Sequence, residues 1–181
     1  MKKEVEVKYK ISADKYEHIK NILEKMDKEF NYLEQKDSYY CQTDFFPNIK
    51  SIPYLLRIRE ENNKNTWMAY KALVEDRSSW VELETGVESP FIIDEIFQKI
   101  GHCKFMEIKK RRLSFHVGSF EINLDDVDKL GLFIEGEFFH EDISYGKKKI
   151  IDFMENNLGL SPKNRINDGY VNLMKKYYGY I

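Results

Sequence analysis

In Glu4-Val5-Glu6-Val7-Lys8, strict alternation puts two carboxylates and an amine on one face of a strand and Val5, Val7 and Tyr9 on the other. Taken alone, the segment reads as an edge or surface strand with its charges in water. Later segments repeat the pattern in both signs. In Leu55-Leu56-Arg57-Ile58-Arg59 the two arginines share one side, opposite Leu56 and Ile58, and Trp80-Val81-Glu82-Leu83-Glu84 alternates again. Lys109 and Arg111 share a face in Ile108-Lys109-Lys110-Arg111, although Lys110 and Arg112 charge the other side too. Phe120-Glu121-Ile122-Asn123-Leu124-Asp125 ends on Asp125, Glu135-Gly136-Glu137 supplies another carboxylate pair, and Lys71 ends the strand that begins at Trp67.

One face thus collects the acids Glu4, Glu6, Glu82, Glu84, Asp125, Glu135 and Glu137 and the bases Lys8, Arg57, Arg59, Lys71, Lys109 and Arg111. Same-sign pairs along one strand repel and contribute little as stability devices, so they make sense when a ligand neutralises them. Acid pairs suit a divalent cation such as magnesium or manganese, which takes hard oxygen ligands, and base pairs suit phosphate. A face with both suits a metal-chelated triphosphate. On the outside of a flat sheet these groups would meet water and bind phosphate weakly. Rolled into a barrel they converge on one lumen, and their apolar backs then need amphipathic helices outside. The plainer alternative is an ordinary sheet with a solvated charged face and helices on one side.

The helices are present. Ser12 caps a segment in which Tyr16, Ile19, Leu23, Met26 and Phe30 recur at helical spacing; a second helix begins at Ser89-Pro90 and ends at Gly101. A third is expected from Ser144 to Gly159, and a short one after Asp168 that stops near Gly179. Strand alternation is expected over Tyr54 to Arg59, Thr66 to Ala72, Trp80 to Val87, Ile108 to Phe115, Ser119 to Asp125 and Phe133 to Phe138. This order predicts an antiparallel α+β domain. At 181 residues the chain is expected to form a single domain, and 42% hydrophobic with 33% charged residues exclude a disordered tail. No apolar run approaches the roughly 20 residues of a membrane span, and the N-terminus lacks a secretion signal, so the expected location is cytoplasmic. No basic tail points to nucleic acid. Cys41 and Cys103 have no metal-ligand spacing and read as packing residues, as do His18, His102, His116 and His140. Trp67, Trp80, Tyr39, Tyr40 and Phe45 are core residues or platforms for an adenine ring.

The motifs Glu4-x-Glu6-x-Lys8, Leu56-Arg57-Ile58-Arg59, Tyr70-Lys71, Glu82-x-Glu84, Lys109-x-Arg111, Leu124-Asp125-x-Val127-x-x-Leu130-Gly131 and Phe133-Ile134-Glu135-x-Glu137 occur in the order seen in the CYTH superfamily, the triphosphate tunnel metalloenzymes. The resemblance spans essentially the whole chain. Gln35-Lys36-Asp37-Ser38-Tyr39-Tyr40 and Asp168-Gly169-Tyr170 are similar to elements of class IV adenylyl cyclases. The resemblance implies a closed antiparallel eight-stranded barrel with a charged lumen, helices packed outside, and metal-dependent chemistry on a triphosphate. By matching position, Glu4, Glu6 and Glu137 are the expected metal carboxylates, supported by Glu135, Asp125, Glu82 and Glu84, and Lys8, Arg57, Arg59, Lys71, Lys109 and Arg111 the phosphate clamp, with Tyr170 in support. Gly136 departs from the family pattern, which has a branched apolar residue there, and Gly169 stands where serine is usual.

The expected cofactor is Mg2+ or Mn2+, and the expected substrate is ATP or another triphosphate compound. The resemblance leans towards a cyclase that converts ATP to 3',5'-cyclic AMP and pyrophosphate. Triphosphatases acting on tripolyphosphate, thiamine triphosphate or nucleoside triphosphates share nearly all the charged residues and remain an alternative, as does a non-catalytic polyphosphate-binding module. Phe45, Phe46 and Ile49 near Pro47 leave a homodimer contact open.

Overall fold

The structure is a computed structural model; it describes residues 3–45, 52–73 and 80–181, without the side chains of Lys3, Glu4, Leu73 and Trp80. In chain order the elements are β1 (Lys3–Lys10), α1 (Ala13–Met26), β2 (Asn31–Gln42), β3 (Tyr54–Glu61), β4 (Asn65–Leu73), β5 (Trp80–Gly86), α2 (Pro90–Lys99), β6 (His102–Val117), β7 (Phe120–Val127), β8 (Gly131–His140), α3 (Ile143–Asn156), β9 (Arg165–Ile166) and α4 (Tyr170–Tyr177). Hydrogen bonding orders the strands β5-β4-β3-β2-β6-β7-β8-β1-β9. The antiparallel α+β class is as expected. The closed eight-stranded barrel is not confirmed: among the described residues there are nine strands, and no hydrogen-bonded pairing joins β5 to β9. Among the described residues no helix is long and apolar enough to cross a membrane.

The chain forms two compact units, Met1–Leu33 with Lys110–Gly169, and Glu34–Lys109 with Tyr170–Ile181. In the first, β1 pairs with β8 on one side and β9 on the other, and β8 pairs with β7, which pairs with the second half of β6. Val5, Val7, Tyr9, Phe115, Ile122, Leu124 and Ile134 are buried in one core with Ile19 and Leu23 of α1 and Ile150 and Met154 of α3. Burying each such aliphatic side chain stabilises by about 1.5–3 kcal/mol before entropy is counted. The helices are therefore held by their apolar faces, and the strands' other faces are free for polar groups. Ser12 Oγ accepts from the Lys15 N–H to start α1, and Asp142 Oδ1 accepts from the Tyr145 N–H to start α3.

Helix α3 lies close to the sheet, with a glycine at the contact on each side, Gly136 in β8 and Gly146 in α3. A Cβ at Gly136 of β8 would stand 2.8 Å from Ile150 Cγ2, and one at Gly146 of α3 would stand 3.1 Å from Val5 Cγ2. Gly136 thus reflects close helix packing. Nothing around Gly169 requires glycine, since a Cβ there meets open space.

In the second unit β2, β3, β4 and β5 pair in sequence, and Tyr40, Ile58 and Phe97 of α2 form a small core with Leu56, Met68 and Ile93. Ser89 Oγ accepts from the Ile92 N–H and Pro90 opens α2 at its first turn, as the sequence predicts. The twelve-residue strand β2 was not expected. Gln35, Asp37 and Ser38 are polar yet buried along it, so its pattern lacks the apolar alternation by which a strand is recognised. Phe46, Pro47 and Ile49, the suggested dimer contact, lie outside the described residues.

Candidate functional site

The charged side of the first unit is built by register. Across β1 and β8, Glu6 stands opposite Glu137 and Lys8 opposite Glu135; across β8 and β7, Glu137 stands opposite Glu121 and Glu135 opposite Asn123. Arg112 of β6 stands opposite Asp125. Since direct cross-strand partners project to the same side, these residues share one face, back to back with the apolar core. Lys8 Nζ lies 2.7 Å from Glu6 Oε1 and 2.6 Å from Glu135 Oε1. Burial works against the Lys8 ammonium, but Glu135 and Glu6 outweigh it and hold its pKa above the usual lysine value. Arg112 donates through Nε and Nη2 to both Asp125 oxygens at 2.7 Å and also pairs with Glu135, while its Nη1 is 3.8 Å from Glu137.

The structure places the expected β6 residues away from this face. Lys109 and Arg111, chosen as clamp residues, have side chains 59% and 60% exposed, whereas that of Arg112 is 10% exposed. Lys109 sits 3.6 Å from Glu107, and Arg111 pairs with Asp126. The run Lys109-Lys110-Arg111-Arg112 contains two Lys-x-Arg readings one residue apart, and a one-residue shift moves every side chain to the other face. Leu113 and Phe115 fix the choice, because they pack against the core and so turn Lys110, Arg112 and Ser114 to the charged side. Burial defeats the Arg112 charge less than its carboxylates support it, and its pKa lies well above the ordinary arginine value.

The charged side of the second unit carries Asp37, Arg57, Arg59, Lys71, Glu82 and Glu84. The β4–β5 register sets Lys71 opposite Glu82, and the β2–β3 register sets Arg59 opposite Asp37. Arg57 Nη2 donates to Glu82 Oε1 at 3.0 Å and to Glu84, and Lys71 Nζ is 2.6 Å from Glu82 Oε2. Arg59 makes a two-pronged pair with the buried Asp37, through Nε at 2.6 Å and Nη2 at 2.7 Å. The buried Arg57 keeps an Nε–H without an acceptor. That orphaned donor, beside Arg59 and Lys71, fits a further anion such as a phosphate oxygen.

Glu6, Lys8, Asp125, Glu135 and Glu137 therefore share one face, and Arg57, Arg59, Lys71, Glu82 and Glu84 another. The Glu4 side chain lies outside the described residues, and Tyr170 is buried at the start of α4. The same faces also carry Asp37, Arg112, Glu121 and Asn123, which the sequence analysis does not name among the expected site residues. For Asp37 the signal was its place two residues before Tyr39 in the resembling segment; for Arg112 it was the second Lys-x-Arg reading.

Carboxylate and carboxamide oxygens are the hard donors that magnesium and manganese prefer, so the donor set of the first face fits such an ion. The Oδ1 of the fully buried Asn123 has no hydrogen-bond partner and is an oxygen of the kind such an ion takes. Among the described residues no three acidic, histidine or cysteine side chains are already gathered around one ion position. The Lys8 ammonium stands between Glu6 and Glu135, and the Asn123 amide hydrogens between Glu121 and Glu137.

Comparison with known proteins bears on the family and the fold. The CYTH domain family model matches residues 2–170. A Methanocaldococcus jannaschii protein named "Putative adenylate cyclase" is 31% identical over 176 residues, covering 93% of this chain and 98% of its own. The PH1012 protein of Pyrococcus horikoshii superposes with a TM-score of 0.79 at 28% identity, over 94% of this chain and 99% of that one. A Hippeastrum protein, described as an adenylyl cyclase candidate with a dominant triphosphatase activity, shares the fold with a TM-score of 0.70 at 14% identity, over 100% of this chain and 97% of its own.

Proposed function

The chain belongs to the CYTH family, and on that premise we propose that it is a divalent-metal-dependent adenylyl cyclase of the class IV type, acting on ATP. That a CYTH enzyme of the cyclase and triphosphatase group takes a triphosphate substrate follows from the family. The observation that carries the reading is the ladder in which Glu6 faces Glu137 and Lys8 faces Glu135, on the face that also holds Asp125 and Arg112. Its carboxylates outnumber Lys8 and Arg112, the bases paired with them, and the surplus suits a divalent cation. The family match runs through residues of both compact units, which supports reading the chain as one CYTH domain. The absence of a membrane-crossing helix among the described residues is compatible with a cytoplasmic enzyme.

In this reading Glu6, Glu137, Glu135 and Asp125, with Glu4, would hold Mg2+ or Mn2+, and Arg57, Arg59 and Lys71 bind and orient the phosphates. The bound ion would supply Lewis-acid charge stabilisation and lower the pKa of the attacking hydroxyl. Asp37 holds Arg59 ready, so less side-chain freedom is lost on binding. Lys8 and Arg112 set the charge and position of the acids around them. Since phosphoryl and nucleotidyl transfer depend mainly on positioning and charge stabilisation, these parts suffice without a protein nucleophile. Trp67, opposite Arg59 in the β3–β4 ladder and exposed, supports a nucleotide over bare tripolyphosphate because its ring offers a stacking surface for adenine.

The test is product identification after incubation with ATP, tripolyphosphate or thiamine triphosphate in magnesium or manganese. Cyclic AMP with pyrophosphate from ATP is expected. Orthophosphate without cyclic AMP would replace the cyclase by a triphosphatase, and metal-dependent binding without product would leave a binding module.

A further inference from the structure

Asn123 is wholly buried in β7, and its amide sits between two acids: Nδ2 lies 3.3 Å from Glu121 Oε1 and 3.1 Å from Glu137 Oε1. Its Oδ1, equally buried, accepts nothing. A buried carboxamide that satisfies only its nitrogen is an unfinished arrangement, because the oxygen has lost its water without gaining a partner. Glu121 is unfinished too. It stands opposite Glu137, which in turn stands opposite Glu6, so three carboxylates form one row across β7, β8 and β1. Lys8 serves Glu6, and Arg112 approaches Glu137, but among the described residues Glu121 meets only neutral donors, Ser114 Oγ at 3.1 Å and Asn123 Nδ2. Carboxylates directly opposite one another, one without a cation, repel.

One change completes both. A carboxamide presents nitrogen and oxygen in nearly the same shape, and a half-turn about its last bond exchanges them. Without a cation, the amide must turn its nitrogen towards the acids. With a divalent cation between Glu121 and Glu137, oxygen becomes the favoured atom there, since such ions take carboxylate and amide oxygens alike. We propose that Glu121 and Asn123 are cation ligands of this chain, acting with Glu137, and that the Asn123 amide turns over when the ion binds. The inference rests on the reading of Glu137 as a metal carboxylate and adds two ligands to it. Asn123 is then a placeholder for the ion, donating hydrogen bonds to the acids until the ion arrives.

The test uses Mn2+ as the probe, with binding to the intact chain read by calorimetry and the Asn123 side-chain NH2 signal read by NMR. Glu121→Gln and Asn123→Leu are each expected to weaken Mn2+ binding at least tenfold, the lower end of what loss of even a supporting residue costs a metal site. Because manganese broadens nearby signals, the NMR titration uses Mg2+, and the Asn123 NH2 pair should shift on saturation. Asn123→Asp separates a ligand from a mere bridge. It keeps the oxygen and removes the donor, so it should lower the melting temperature without metal yet show a larger rise with Mn2+ than the natural chain. Mn2+ affinity within twofold of the natural chain in Glu121→Gln and Asn123→Leu, with binding lost in Glu6→Gln, would overturn this inference alone. Unchanged binding in Glu6→Gln, or no Mn2+ binding by the natural chain, would overturn the underlying metal reading as well.

Discussion

Adding a methyl group at Gly136 tests the claim that α3, and not strand flexibility, dictates glycine in the middle of a carboxylate pair. In Gly136→Ala the new Cβ stands 2.8 Å from Ile150 Cγ2, 3.3 Å from Met154 Sδ and 3.5 Å from Ile122 Cδ1. All three neighbours are buried, so none can swing into solvent to relieve the contact. Overpacking of this kind costs about 1–3 kcal/mol. Alanine in a strand recovers about 0.5–1 kcal/mol of backbone entropy relative to glycine. The net expectation is a loss centred near about 1 kcal/mol within a span of about 0–2.5, a fall of about 0.3–1 M in the urea midpoint at the m-values of about 1–3 kcal/mol/M common in small proteins. The assay is urea unfolding followed by both fluorescence and circular dichroism, with coincident transitions required before ΔG is compared. Ile150→Ala removes the atom in conflict and alone costs about 2–5 kcal/mol. Combined with Gly136→Ala it should cost less than the sum of the two, by the overpacking part. A Gly136→Ala protein at or above the natural midpoint, or a strictly additive pair, would refute the packing explanation.

Arg112→Ala should lower stability by about 3–5 kcal/mol, since it strands buried Asp125 and Glu135, while Arg111→Ala should leave the urea midpoint where it is; equal effects would mean that the register of β6 is wrong. Asp37→Asn should weaken triphosphate binding about tenfold by releasing Arg59 from its two-pronged hold, read as a rise in Kd; tighter binding would show that Asp37 competes with the phosphate. The Cys41 thiol is pushed up to about 12 by burial and by the neighbouring Cys103. The thiolate is the reactive form, and its fraction at pH 8 is then only about 10⁻⁴, so iodoacetamide should label half-buried Cys103 well before Cys41, as mass spectrometry would detect.

Alternation made most of the strands legible, because a face that must be buried announces itself every second residue. It served β1, β3, β7 and β8, where Val5, Ile58, Leu124 and Ile134 are each buried behind the charged face. It missed β2, whose buried Gln35 and Asp37 are tied to Glu61 and Arg59 of β3 by a hydrogen bond and an ion pair that composition does not display. In Lys109-Lys110-Arg111-Arg112 every residue is basic, so the pattern carried no phase, and only packing of Leu113 and Phe115 supplied it. The reason for Gly136 was hidden as well, since it depends on a helix that arrives after residue 142.

The cations of both faces are already engaged: Lys8 with Glu6 and Glu135, Arg112 with Asp125 and Glu135, Arg57 with Glu82 and Glu84, Arg59 with Asp37, Lys71 with Glu82. A bare polyanion would have to pull bases from their acids and leave those acids unpaired, and a bare cation would do the reverse to the bases. Partly buried pairs make either exchange costly, because removing one partner leaves the other desolvated and uncompensated. A metal-chelated triphosphate brings both signs together, so the acids released by the phosphate find the metal and the bases released by the metal find the phosphate. Under the proposed function, the internal salt bridges therefore discriminate against free metal and free phosphate while costing the chelate little. The Glu4 to Lys8 strand carries this logic in miniature, with the acid and the base that must part company two residues from one another and already bonded at 2.7 Å.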